Sequence, residues 1–142
     1  MASLIKFSLA LVLASVTLLG QVDMPSPIKF AWLTDTHVGG RTGAEDLSIV
    51  VHDINKNDSI SFAIVSGDIT ELDVGQNLQL AKAILDSLNI PYYIIPGNHD
   101  LKWSSSGGQR FEQLWGADKF NIVVGEYRFI GIHQGPVLRM GA

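Results

Sequence analysis

Three short apolar runs, spaced about thirty residues apart and separated by helical periodicity, constrain this chain to βαβ units and a parallel sheet. The runs are IKFAWLTD (28–35), ISFAIVS (60–66) and PYYIIP (91–96). Between the first two, RTGAEDLSIVVHDINKND (41–58) places Leu47, Val50, Val51 and Ile54 at i, i+3, i+4 and i+7, one face of a helix. Thr42 followed by Glu45 fits a capping box at its start. Between the second and third runs, residues 74–89 carry a stripe of Ala81, Ile84, Leu85 and Leu88, with Asn89 as a C-terminal stop. The middle run is β-branched with little alternation, as expected of a strand covered on both faces. Further on, 101–109 reads as a Ser/Gly loop and 110–116 as a short helix. Residues 120–133 read as a hairpin turning at Gly125-Glu126.

The 142 residues, 46% hydrophobic, suffice for one domain of modest size. The net charge of −4 and the lack of a Lys/Arg-rich run exclude a nucleic-acid surface. The absence of cysteine excludes disulfides, thiolate metal sites and a cysteine nucleophile. Residues 1–20 stand apart: Lys6 precedes the uncharged, apolar stretch 7–20. This is the pattern of a secretory signal peptide. It is shorter than the ~20 apolar residues that span a bilayer. A secreted or periplasmic domain over 28–142, joined by a linker at 21–27 and with no membrane span once the signal is removed, is the expectation.

Each apolar run ends in polar residues of a particular kind. The first ends in Asp35 and His37, the second in Gly67-Asp68, the third in Asn98, His99 and Asp100. In an open parallel sheet these carboxy ends lie side by side, at the edge where ligands bind. Asp35 and His37, two apart, share one side of an extended chain. Asp68 offers two oxygens that can bridge two cations, and Asn98 offers a neutral carbonyl oxygen. Such a mixed O/N set suits Mn²⁺, Fe²⁺ or Zn²⁺. Two such ions can clamp a phosphate, lower the pKa of a bound water and stabilise in-line displacement. His99, beside Asp100, could stabilise the phosphate or protonate the leaving alcohol. Gly67 and Gly97 would let the backbone turn and approach closely. Singly, each motif is as readily a turn or helix cap. Three at successive strand ends are not accounted for by turn chemistry.

Asp35-Thr-His37, Gly67-Asp68 and Gly97-Asn98-His99-Asp100, in this order, resemble the signature of the calcineurin-like metallophosphoesterases. The resemblance covers about residues 28–135 and extends to FEQLWG and YRFIGI. It implies an α/β fold: a two-sheet β-sandwich with helices outside, in four layers. It implies that Asp35 and His37 hold a first divalent ion, Asp68 bridges to a second, and Asn98 holds the second. His99, paired with Asp100, would contact the phosphate of a monoester or diester substrate. Glu71 stands where the purple acid phosphatases carry a tyrosine ligand, so that iron–tyrosinate variant is not expected.

The family completes its site with later histidines, including a Gly-His-x-His. Beyond residue 100 this sequence has one histidine, His133, which reads as structural, like His52 in the first helix. The chain is therefore expected to be the amino-terminal half of the domain. Its uncovered sheet would be prone to self-association. A non-catalytic binder of metal or phosphate is the alternative. Arg41, Trp103 and Ser104–Ser106 lie in loops expected near the site, where solvated loop residues are the simpler reading.

Overall fold

The computed structural model describes residues 26–72, 76–102, 104 and 106–133. The expected leader, Trp103 and Ser105 lie outside the described residues. Strands β1 (Phe30–Leu33), β2 (Phe62–Ser66) and β3 (Tyr92–Ile95) form a parallel sheet in the order β1-β2-β3. Phe30 pairs with Phe62 and Ala63 with Tyr92. Helices α1 (Gly43–Asn55) and α2 (Asn77–Leu85) are the crossovers. A short α3 (Asn98–Leu101) follows β3, then α4 (Gln109–Trp115). The hairpin β4 (Phe120–Val124) and β5 (Tyr127–Gly131) is antiparallel and turns through Gly125 at φ +58°.

One face of the parallel sheet is closed by helices. Leu47, Val51 and Ile54 of α1 and Leu78, Ala81 and Leu85 of α2 are buried against Leu33, Ala63, Val65 and Ile94, joined by Phe111 of α4. Apolar burial of this kind contributes about 25 cal/mol per Å² removed from water. The other face meets the hairpin. Phe30 stacks on Phe62 at 5.2 Å, and Phe129 sets its edge against both. Tyr93 lies 5.6 Å from Phe120. This is the helix–sheet–sheet part of the expected sandwich, and it explains why β2 lacks alternation: helices cover one of its faces and the hairpin covers Phe62 on the other.

Several local expectations shift. Val50 is exposed, at the margin of the α1 stripe. Thr42 makes no side-chain cap; its carbonyl instead accepts the N–H of Asp46. Helix α2 ends at Leu85, four residues before Asn89. The N–H of Asn89 is bonded instead to Asn55 Oδ1 at 2.8 Å, tying the end of α1 to the loop after α2.

The hairpin covers the sheet only in part. Trp32, Ile130 and Ile132 are 72%, 63% and 71% exposed and rim an open apolar trough of about 270 Å³, floored by Phe30, Ile64 and Phe129. Among the described residues no helix is long and apolar enough to cross a membrane.

Candidate metal centre

Beyond the strands, the loops after β1 and β2 remain zipped together. The N–H groups of Asp35, His37 and Val38 donate to the carbonyls of Gly67, Asp68 and Ile69 at 3.1, 3.1 and 2.8 Å. Thr36 Oγ1 donates to Ile69 O, and Glu71 N–H returns a bond to Val38 O. Within this ladder the backbone is left-handed at three non-glycine residues: Asp35 (φ +54°), His37 (φ +44°) and Asp68 (φ +47°). Each such residue costs about 1–2 kcal/mol. All three are residues the sequence marks as cation ligands. Strain of this sort persists where surrounding bonds over-determine it, and it clusters at functional sites.

The strain explains how the residues meet. Asp35 and His37 do not share a side through extended chain, as their spacing suggested; two left-handed turns bring them together. His37 Nε2 lies 3.8 Å from Asp35 Oδ1. One ligand atom each from Asp35, His37 and Asp68 lies within 4.8 Å of the others. Asn98, the first residue of α3, stands exposed at the end of β3, and His99 follows it. The rings of His37 and His99 meet edge to face at 4.9 Å. The residues of all three strand ends thus converge.

The glycines at these ends are needed for closeness. Gly67, at φ +92°, has its position for a Cβ 2.8 Å from Gly97 Cα. A Cβ on Gly97 would collide with Asp68 Oδ1 and its backbone nitrogen. Only glycine lets the two strand ends touch backbone to backbone.

Asp100 departs from its expected role beside His99. It is wholly buried and turns away from the ring. Its carboxylate accepts four bonds: from the N–H groups of Gly97 (2.8 Å), Ile69 (3.1 Å) and Thr70 (2.9 Å), and from Thr70 Oγ1 (3.0 Å). Burial pushes this carboxyl above the ordinary value, and the four bonds work against that shift. The bond to Gly97 is the backward half of a capping box on α3. Asp100 is a structural bolt between the β2 and β3 ends.

His99 takes a different partner. Its Nδ1 bonds the main-chain carbonyl of Glu71. The Glu71 side chain faces the other imidazole, with Oε2 2.9 Å from His37 Nδ1. In the sequence Glu71 marks only the place of an absent tyrosine ligand, with no role of its own. The available signal was its place three residues after Asp68, at the end of the same loop.

Other candidates lie elsewhere. His133 is paired with Asp118 Oδ2 at 2.7 Å and lines a separate cavity with Leu101, Phe111 and Glu112. That imidazole holds the Asp118 carboxyl below the usual carboxylate range. His52 is exposed in the last turn of α1. Arg41 is exposed in the loop after His37. Ser104 and Ser106 bond each other, and Ser106 Oγ accepts the Arg110 N–H.

The donor set fits divalent cations. His37 Nδ1 is buried without an aligned hydrogen-bond partner, although Glu71 Oε2 is at bonding distance, so a small rotation of the ring would complete the bond. Two carboxylates and an imidazole within reach of one another form a mixed oxygen and nitrogen cradle of the kind such ions take.

Residues 28–140 match the model of the calcineurin-like phosphoesterase family, and the chain belongs to that family. It is 26% identical over 99 residues to the uncharacterised protein YvnB of Bacillus subtilis (strain 168), covering 65% of this chain and 8% of that one. It is 35% identical over 51 residues to the probable glycerophosphodiester phosphodiesterase GpdQ of Arcobacter nitrofigilis, covering 36% of this chain and 19% of that one. The crystal structure of a dimetal phosphatase from Danio rerio shares the fold, with a TM-score of 0.59 at 16% identity, over 74% of this chain and 44% of that one. In each case the chain spans less than half the length of the protein it matches.

Proposed function

We propose that this chain carries one wall of a dimetal phosphoesterase that hydrolyses a phosphomonoester or phosphodiester. The convergence of Asp35, His37 and Asp68, each in a strained left-handed conformation, is the observation that carries the reading. Asp35 and His37 would hold a first cation and Asn98 a second, with Asp68 placed to serve both. Divalent ions bound there, Mn, Fe or Zn by donor type, would supply charge neutralisation and lower the pKa of a water. The chain's own residues position the rest. The zipped loops orient Asp35 and Asp68, and the carbonyl of Glu71 anchors the His99 ring so that its Nε2 is the nitrogen free to meet a phosphate oxygen.

His133 is held by Asp118 and lines a different cavity, so this reading draws no ligand from it. The trough beside Trp32 and Ile130 supports the same reading: the chain is the amino-terminal part of the domain, and alone it associates through that face. Export rests on the apolar stretch 7–20 alone. The alternative is a binder of metal or phosphate without turnover.

The test is hydrolysis of p-nitrophenyl phosphate and bis(p-nitrophenyl) phosphate with Mn²⁺, by this chain and by a form extended at its carboxy end. Turnover by the extended form that disappears in Asp68→Ala supports the enzyme. Tight Mn²⁺ and phosphate binding with no turnover in either form supports the binder.

A further inference from the structure

We propose that Glu71 is the positioning residue of this centre: its carboxylate holds the ring of His37 and its main-chain carbonyl holds the ring of His99. The inference rests on the dimetal reading above. The residue is fixed from its own backbone, since Glu71 N–H bonds Val38 O at 3.1 Å within the zipped loops. From there Oε2 reaches 2.9 Å from His37 Nδ1, and the carbonyl oxygen bonds His99 Nδ1. One ligand atom each from His37, Glu71 and His99 lies within 4.8 Å of the others.

Both contacts use Nδ1, and a carboxylate and a carbonyl are acceptors only. His99 therefore carries its proton at Nδ1, and a proton at His37 Nδ1 is the one that completes its contact with Oε2, which leaves Nε2 as the nitrogen that acts in each ring. In His37 that Nε2 is the atom beside Asp35. A carboxylate behind a ligating imidazole fixes the tautomer and raises its basicity, and losing it weakens metal affinity about 10–100-fold. The two contacts also separate chemically. Substitution of Glu71 removes the carboxylate and spares the carbonyl, so His37 is released while His99 stays anchored.

The experiment is Mn²⁺ calorimetry on the full chain, comparing the native protein with Glu71→Ala and Glu71→Gln, alongside proton NMR of the imidazole N–H region. Glu71→Ala is expected to weaken the ion at Asp35–His37 about 10–100-fold and to spare the ion at Asn98. Glu71→Gln keeps an acceptor oxygen and is expected to lose less. The His37 Nδ1–H signal should exchange away in Glu71→Ala while that of His99 remains. The side chain is half-exposed, so both variants should fold as the native chain does. Native-like binding of both ions in both variants overturns the role of Glu71 alone, and so does an equal loss at the two sites. A native chain that binds no Mn²⁺ overturns the dimetal reading with it.

Discussion

Asp68 Oδ1 accepts the backbone N–H of His99 at 3.0 Å, joining the end of β2 to the start of α3 across 31 residues. One oxygen of this carboxylate is thus committed to the fold, and the proposed cation role falls mainly to the second. Asp68→Asn preserves an acceptor for the His99 N–H but discards the charge. The expected outcome is a chain that melts within about 1 kcal/mol of the native one and has lost its Mn²⁺ affinity. Thermal melts and calorimetry on one sample report both.

Gly97→Ala probes the closeness of the strand ends. The new methyl group would strike the side chain and the backbone nitrogen of Asp68. Overpacking of this kind costs about 1–3 kcal/mol. Mn²⁺ affinity should fall as well, since the displaced residue is one of the proposed ligands. Gly107→Ala is the control: nothing lies within 4 Å of its Cβ position, so it carries only the strain of a side chain at φ +61° and should leave Mn²⁺ affinity unchanged. Equal melting and equal metal binding in the two variants would count against the packing argument.

Asp100 was expected to serve chemistry and serves structure instead. Asp100→Ala strands three backbone N–H donors and the Thr70 hydroxyl in a buried site. Each unsatisfied buried group costs about 1–3 kcal/mol, so a loss of about 3 kcal/mol or more is expected by urea denaturation. A milder loss, with metal binding abolished, would return Asp100 to the chemistry.

Stability should also decline in acid through Asp86. Lys82 Nζ bonds its carboxylate at 2.8 and 2.9 Å, and the Tyr92 hydroxyl donates to it at 2.7 Å. Lys82 first, then Tyr92, holds this carboxyl below its usual value. A folded pKa below the unfolded one gives stability that is present above about pH 4 and lost as pH falls through the folded pKa. The melting temperature of the native chain should therefore drop more steeply below pH 4 than that of Asp86→Asn. The effect is small because the pair is partly exposed, and parallel curves would contradict it.

Much of this was legible in the sequence, for physical reasons that can be named. The period of 3.6 in Leu47, Val51 and Ile54 reflects one buried helix face, and the plain apolar run 60–66 reflects helices on one sheet face and the hairpin over Phe62 on the other. The candidate ligands were legible because strand ends in a parallel sheet must lie together. What sequence could not show is backbone conformation. The left-handed residues Asp35, His37 and Asp68 and the short helix beginning at Asn98 arise from bonds between segments about thirty residues apart. Asp100 was misassigned for the same reason: adjacency to His99 in sequence suggested contact, while helix α3 carries the carboxylate toward Ile69 and Thr70. The contacts of Glu71 are not legible in sequence because they depend on where its loop is pinned.

The number of Mn²⁺ ions bound per chain bears most directly on the dimetal centre. Two ions in the native protein, and at most one in Asp68→Ala, is the predicted result. A native protein that binds none, or binding unchanged in Asp68→Ala, would contradict it.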